Sequence, residues 1–406
     1  MELLHDHGLS ISYDRVLEVS AQLGDAAVGK YKAEGVVCPN ILRKDLFTTS
    51  AFDNIDHNPT ATTSTSSFHG TSMFIFQHPT AENEGVIQEP WNIDSKVKSI
   101  SNLPDSYTNV PPAFFGIKNP NPPLVEIQPQ LPTLVLKPEF DWLQKVQITE
   151  TINTDRLDIS WSSHHASMER SPQFKVTISS LLPLLREQAH SVATVCHCMD
   201  KIRAVVSHLN PGQVPVIAAD QPLFAMAKQV QWHWPEKYGE DKFVIMFGGL
   251  HIEMAALKSI GTLLQDSGWT TALVESGIAT SGTADSYLSA SSVTRTRQMH
   301  QVTASCLYKL LHDSYGIYCT EAQADDQHEL SFDDWCRLRK HQSPQFQYWF
   351  MILEMELVIF SLIRSFREAN FDWYCQALQE LLPYFLPITI PIMLVGYRFI
   401  SEICCA

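Results

Sequence analysis

The residues of this sequence whose spacing could do chemistry are carboxylates at the ends of apolar runs. Asp53 and Asp56 sit in AFDNIDHNP, Asp220 closes VPVIAA, and Glu253 follows FVIMFGGLHI, 33 residues beyond Asp220. In a sheet with parallel strands, a strand-end Asp and a Glu at the start of the next helix can share one rim. Carboxylates gathered there bind two Mg²⁺ ions about 4 Å apart, which activate a water and stabilise the leaving oxygen in phosphodiester cleavage. The expected catalytic and metal-binding set is therefore Asp53, Asp220 and Glu253, with Mg²⁺ as cofactor. Glu356, in the apolar run FMILEMELVIF, is the alternative third carboxylate. A plainer reading stands beside this one. DNIDHNP is turn chemistry, an Asp before a helix is an N-cap, and Glu354 and Glu356 are expected to pair with Arg364 or Arg367.

Other clusters are weaker. Arg295, Arg297 and His300 form a small basic group in VTRTRQMHQ that could contact a phosphate backbone or simply open a solvated helix. Cys196-His197-Cys198 matches no common zinc spacing, and adjacent residues on a helix point in different directions. His5-Asp6-His7 has the same weakness. Gly248-Gly249 lacks the third glycine of a dinucleotide fingerprint.

Several elements must position these residues. Residues 9–34 have helical periodicity. Strands are expected near 46–55, 67–77, 214–219 and 243–247 and should share one five-stranded mixed sheet. Helices over 224–234 and 252–264 alternate with the last two strands, which is α/β grammar. A long helix is expected over 181–209, and further helices near 296–312 and 345–368. Nine of the 23 prolines fall between Pro104 and Pro138, so residues 80–140 read as an insertion or linker that packs little. The expected organisation is an N-terminal helical segment (1–45), an α/β core (46–79 and 141–290) interrupted by that insertion, a helical region (291–380) and an apolar tail (381–406).

Bulk composition narrows the classes. A chain of 406 residues that is 45% hydrophobic can bury a large core. Its net charge of −15 does not favour DNA binding by general electrostatics. Nine irregularly spaced cysteines and a polar, acidic start predict an intracellular protein without a disulfide framework. Leu381–Ile400 has a single charge, Arg398, and nearly the length of a membrane span, but carries three prolines. A tail anchor is the alternative localisation.

The strings AFDNIDHNPTATTSTSSFHGTSMFIFQHPT, LNPGQVPVIAADQPLFAMAKQVQWHWPEKYGEDKFVIMFGGLHIEMAALKSIG and VTRTRQMHQVTASCLY resemble a family of transposon-borne open reading frames of invertebrate genomes, over about residues 8 to 380. A weaker similarity is to the RNase H-like core of DDE transposases and integrases. That core has an Asp on its first strand, an Asp ending its fourth and a Glu on the helix after its fifth; the matching positions are Asp53, Asp220 and Glu253. The resemblance implies an RNase H-like mixed sheet flanked by helices. It also implies a Mg²⁺-dependent transposase or nuclease acting on DNA, and a nuclear location. The alternatives are a catalytically dead relic kept as an interaction protein, and a tail-anchored membrane protein.

Overall fold

Tyr13–Glu34 forms α1, opened by the side chain of Ser12 on Arg15 N and closed by Gly35 at φ 70°. The computed structural model describes residues 10–57, 68–91, 96–116, 134–152, 160–168, 175–324 and 328–385, with His5, His7, Gly8 and Ile93. After α1 come β1 (Thr48–His57), β2 (Phe68–Gln77), α2 (Lys137–Ile152), α3 (Trp161–Met168), β3 (Ile178–Leu181) and α4 (Val192–Leu209). They are followed by β4 (Val216–Ala219), α5 (Gln221–His233), β5 (Val244–Phe247), α6 (Gly249–Leu264), α7 (Trp269–Glu275) and α8 (Ser281–Leu288). Four long helices or helix pairs finish the chain: α9 (Val293–Ala324), α10 (Phe332–Gln342), α11 (Pro344–Arg367) and α12 (Phe371–Phe385).

The chain divides into two units, Met1–Leu124 with Pro172–Gly248, and Val125–Ser171 with Gly249–Ala406. The first is built on one mixed sheet in the order β3-β2-β1-β4-β5. β2 runs antiparallel to β1 and β3, whereas β1, β4 and β5 are parallel. All four strands expected from the sequence are therefore in one sheet. Alternation sets the two faces. Phe52, Met73, Ile75, Ile217 and Ile245 are buried on one side, where α4 and α5 pack. The other side carries Ala51, Asp53, Phe74, Val216 and Ala218, all partly or fully exposed.

Two expectations for this unit need correction. Residues 181–209 are not one helix. Ile178–Leu181 pairs with β2 as its outer neighbour, and the helix starts only after the Ser191 cap. Pro183 has no N–H for a helix at this point, and Leu185 N and O bond Thr71 instead. Nor does the whole of 80–140 pack weakly. Val86 bridges to Lys44, and the buried Gln88 side chain donates to Leu42 O. Tyr107 is 2% exposed and donates to Pro183 O at 2.5 Å. Residues 117–133 lie outside the described ones.

The second unit is helical. α11 and α12 form a hairpin, and α11 also packs on α6, α9 and α10. By length and composition α11 is apolar enough to cross a membrane; here it is the centre of the unit, with Ile352, Met355, Leu357, Ile359 and Leu362 almost fully buried. Gly261 lets α6 approach α8, since a Cβ there would stand 2.2 Å from Leu288 O. Of the apolar tail, Leu381–Phe385 closes α12, and 386–400, which held most of the expected anchor, lies outside the described residues.

Candidate functional site

Parallel pairing of β1 with β4 aligns Thr49 with Val216, Ser50 with Ile217 and Ala51 with Ala218. Continued two residues, that register sets Asp53, midway along β1 (Thr48–His57), level with Asp220, the residue after β4. The register is fixed by burial, because a one-residue slip would turn Phe52 and Ile217 out of the core. Asp220 is the N-cap of α5: its carboxylate accepts from Leu223 N at 3.0 Å. Asp53 accepts from Asn54 N at 2.7 Å, and its main-chain oxygen accepts from Ser72 Oγ. The plainer reading of Asp220 as a cap is thus correct in itself.

Sequence reasoning missed the segment that meets β1 at Asn54. Asn54 Oδ1 accepts from Ala189 N at 3.0 Å, and Asn54 Nδ2 lies against His190 Nε2. Thr71 Oγ1 donates to Glu187 O at 2.7 Å. The chain before α4 is therefore stitched to the ends of β1 and β2, which brings the imidazole of His190 to the residue next to Asp53. The only hint in the sequence was the Asn of DNID, read there as a turn residue. Asp56 pairs through its backbone with His69.

Glu253 belongs to the second unit, in the first turns of α6, and is buried there. Its countercharge is Arg297: Nε bonds Oε1 at 2.7 Å and Nη2 bonds Oε2 at 2.8 Å. The Glu253 side chain is 5% exposed and that of Arg297 21%. Arg367 is close to both. Burial lowers its guanidinium pKa, the Arg297 charge adds to this, and Glu253 opposes it. The guanidinium fork of Arg297, expected to be available to DNA, is thus used within the protein, while Arg295 is exposed.

Glu356 is also paired, though not with Arg364 or Arg367. Its Oε1 lies 2.7 Å from His300 Nδ1, and both side chains are fully buried. Burial raises the Glu356 carboxyl, and His300 pulls against that. The ring of Trp269 stacks on His300. Arg364 instead meets Glu139 of α2 at 3.0 Å and Glu368 at 3.4 Å. Glu139 is fully buried, and burial pushes it up to about 7 despite Arg364. Glu354 is half-exposed and reaches Lys340 at 3.4 Å. Of the remaining candidates, His197 Nε2 bonds Tyr107 O at 2.7 Å, and Cys196 and Cys198 are buried helix positions. Asp6 lies outside the described residues.

Among the described residues no group of three or more His, Cys, Asp or Glu is placed to hold a metal ion. Residues 160–334 match a family described as a domain of unknown function (DUF8702). No curated protein and no solved structure matches the chain. The matched stretch contains Asp220, Glu253, Arg295 and Arg297, and not Asp53 or Glu356.

Proposed function

We propose that the first unit is an RNase H-like core of transposable-element origin, and that Asp53 and Asp220 are the metal-holding pair of a Mg²⁺-dependent, DDE-type nuclease or transposase site. The observation that carries this reading is the parallel β1–β4 register, which when continued two residues sets Asp53 level with Asp220. A five-stranded mixed sheet with β1 central, β2 reversed and β4 and β5 parallel to β1 also supports it, since the resemblance implies a mixed sheet flanked by helices. Two aspartates level on neighbouring parallel strands suit a cation that takes oxygen ligands and keeps several waters. Bound there, Mg²⁺ would supply Lewis acidity and a more acidic water for attack on a DNA phosphodiester. The chain's own residues orient the pair: the α5 cap fixes Asp220, and Ser72 and Asn54 fix the backbone around Asp53. A DNA substrate and a nuclear location follow from this reading, with the charge of −15 requiring the metal to offset repulsion of the phosphate.

A second reading, a non-catalytic relic serving as an interaction protein, is favoured by the Glu253–Arg297 pair. A third carboxylate that already holds a bidentate guanidinium is satisfied without a metal. Mg²⁺ titration separates the two. Asp53→Asn and Asp220→Asn are near-isosteric, and Asn caps a helix about as well as Asp, so both variants should fold. If the pair holds Mg²⁺, saturating metal (about 100 times Kd) should stabilise the wild-type chain by about 2.7 kcal/mol, and each variant should lose that gain together with DNA cleavage. A Mg²⁺ response that survives in both variants overturns the site; no response in the wild type leaves the relic reading.

A further inference from the structure

Independently of that reading, α7, α9 and α11 enclose a groove of about 650 Å³ that lies wholly within the second unit. Small-molecule sites run to roughly 300–1,000 Å³. Part of the wall is core, with Trp269 5% exposed and Leu353 2%, and part is open, with Leu310 63% exposed. None of the wall residues is charged, in a chain that is 18% charged. An ionised ligand would lose its hydration there and find no countercharge, so the groove fits an uncharged one. The aromatic rings of Trp269, Phe346, Trp349 and Phe350 give flat apolar wall for a ring-bearing or conjugated skeleton. The hydroxyls in the wall narrow the class further. Ser267, Ser276, Thr303 and Ser314 each donate their proton to a main-chain carbonyl three or four residues back, on Leu264, Leu273, Met299 and Leu310. Ser267 and Thr303 also accept from Trp269. Ser276 and Ser314 therefore offer a ligand an acceptor oxygen and no proton. A ligand hydroxyl can donate to such an oxygen, whereas a carboxylate can only accept. Of the other polar wall residues, Ser343 caps α11 and Gln345 is exposed.

We propose that this groove binds an uncharged, largely apolar alcohol of the terpenoid class, its hydroxyl donating to Ser276 or Ser314 and its carbon skeleton lying against the aromatic wall. Retinol and retinoate share one skeleton and differ only at the polar end, so the pair tests both the charge and the donor. Retinol added to the full chain should quench tryptophan emission by energy transfer, and retinoate should bind roughly tenfold or more weakly than retinol. Cys306 is an exposed wall residue, so Cys306→Phe fills the groove without entering the core and should weaken retinol binding roughly tenfold or more. Leu310→Arg, at a position 63% exposed, supplies the missing countercharge and should narrow or invert the preference for retinol. An unchanged Tm in each variant verifies that both are folded. No retinol binding, equal affinity for the two ligands, or a retinol affinity that neither variant changes would overturn the proposal. So would a chain that binds no retinol and sediments as a dimer until Cys306→Phe is introduced, which would make the groove an interface between copies.

Discussion

Arg297→Met removes both hydrogen bonds to Glu253 and leaves a carboxylate that is 5% exposed without its main countercharge. Breaking a buried pair from one side costs roughly 3–5 kcal/mol. Two features of the site reduce that figure. Arg297 is about one-fifth exposed, so water can enter where its guanidinium was, and Arg367 stays within electrostatic reach of Glu253. The expected loss is about 2–3 kcal/mol, or roughly 5–10 °C in Tm for a unit of this size. Glu253→Gln leaves Arg297 its solvent-facing side and should cost less. In the double variant the two losses should not add, with a coupling energy of about 1.5–3 kcal/mol. Urea unfolding of the four proteins measures the cycle. Repeating it in high salt should change the coupling little, because a buried pair is poorly screened. A coupling below about 0.5 kcal/mol, the level of independent sites, would refute the assignment of Glu253 to a structural ion pair and return it to the list of available metal ligands.

Glu139 gives a pH test. Its carboxyl is pushed up to about 7 by burial, from an ordinary 4.5. The folded protein thus holds this proton more tightly than the unfolded chain. The resulting stability is fully present below pH 4.5 and is lost as the pH rises through 7. Glu139→Gln should remove up to about 3 kcal/mol of that decline, read as urea stability at pH 5 and 7.5; parallel declines in both proteins would contradict it. Gly261→Ala places a methyl 2.2 Å from Leu288 O, a backbone atom that cannot swing aside, and should cost about 1–3 kcal/mol or more. Gly316→Ala, also in a helix but with nothing within 4 Å, should instead stabilise by roughly 0.5–1 kcal/mol; equal effects at the two sites in thermal unfolding would refute the close approach.

What could be read from the sequence was whatever depends on neighbours in the chain. VPVIAA and FVIMF gave β4 and β5 because buried parallel strands are continuous apolar runs, and Asp220 was legible as a cap because capping is a three-residue affair. β3 was not legible: ISSL has four residues, two of them Ser, and Leu181, Leu182 and Leu185 also fit a helical stripe. Only pairing with Phe74–Gln77 makes it a strand. Pairing also hid the charge partners. Glu253 finds Arg297 44 residues on, and Glu356 finds His300 56 residues back, distances at which no local pattern operates. Glu356 was rightly seen as needing a partner. Glu139 was overlooked because KPEFDWLQK reads as a solvated helix start until Arg364 is known to face it.

The second unit is assembled from two stretches of chain that a sheet-bearing stretch separates, and this sets an order in time. α2 leaves the ribosome carrying Glu139, which must wait 225 residues for Arg364. At roughly 5–20 residues per second that is about 10–45 s. Through that interval Trp142 and Leu143, both buried at the end, have neither α9 nor α11 to cover them, while everything the first unit needs has been made by Gly248. Synthesis therefore finishes the sheet before the helical unit can close. A helix with Trp142 and Leu143 uncovered and no countercharge for Glu139 is the species a chaperone would meet on the growing chain.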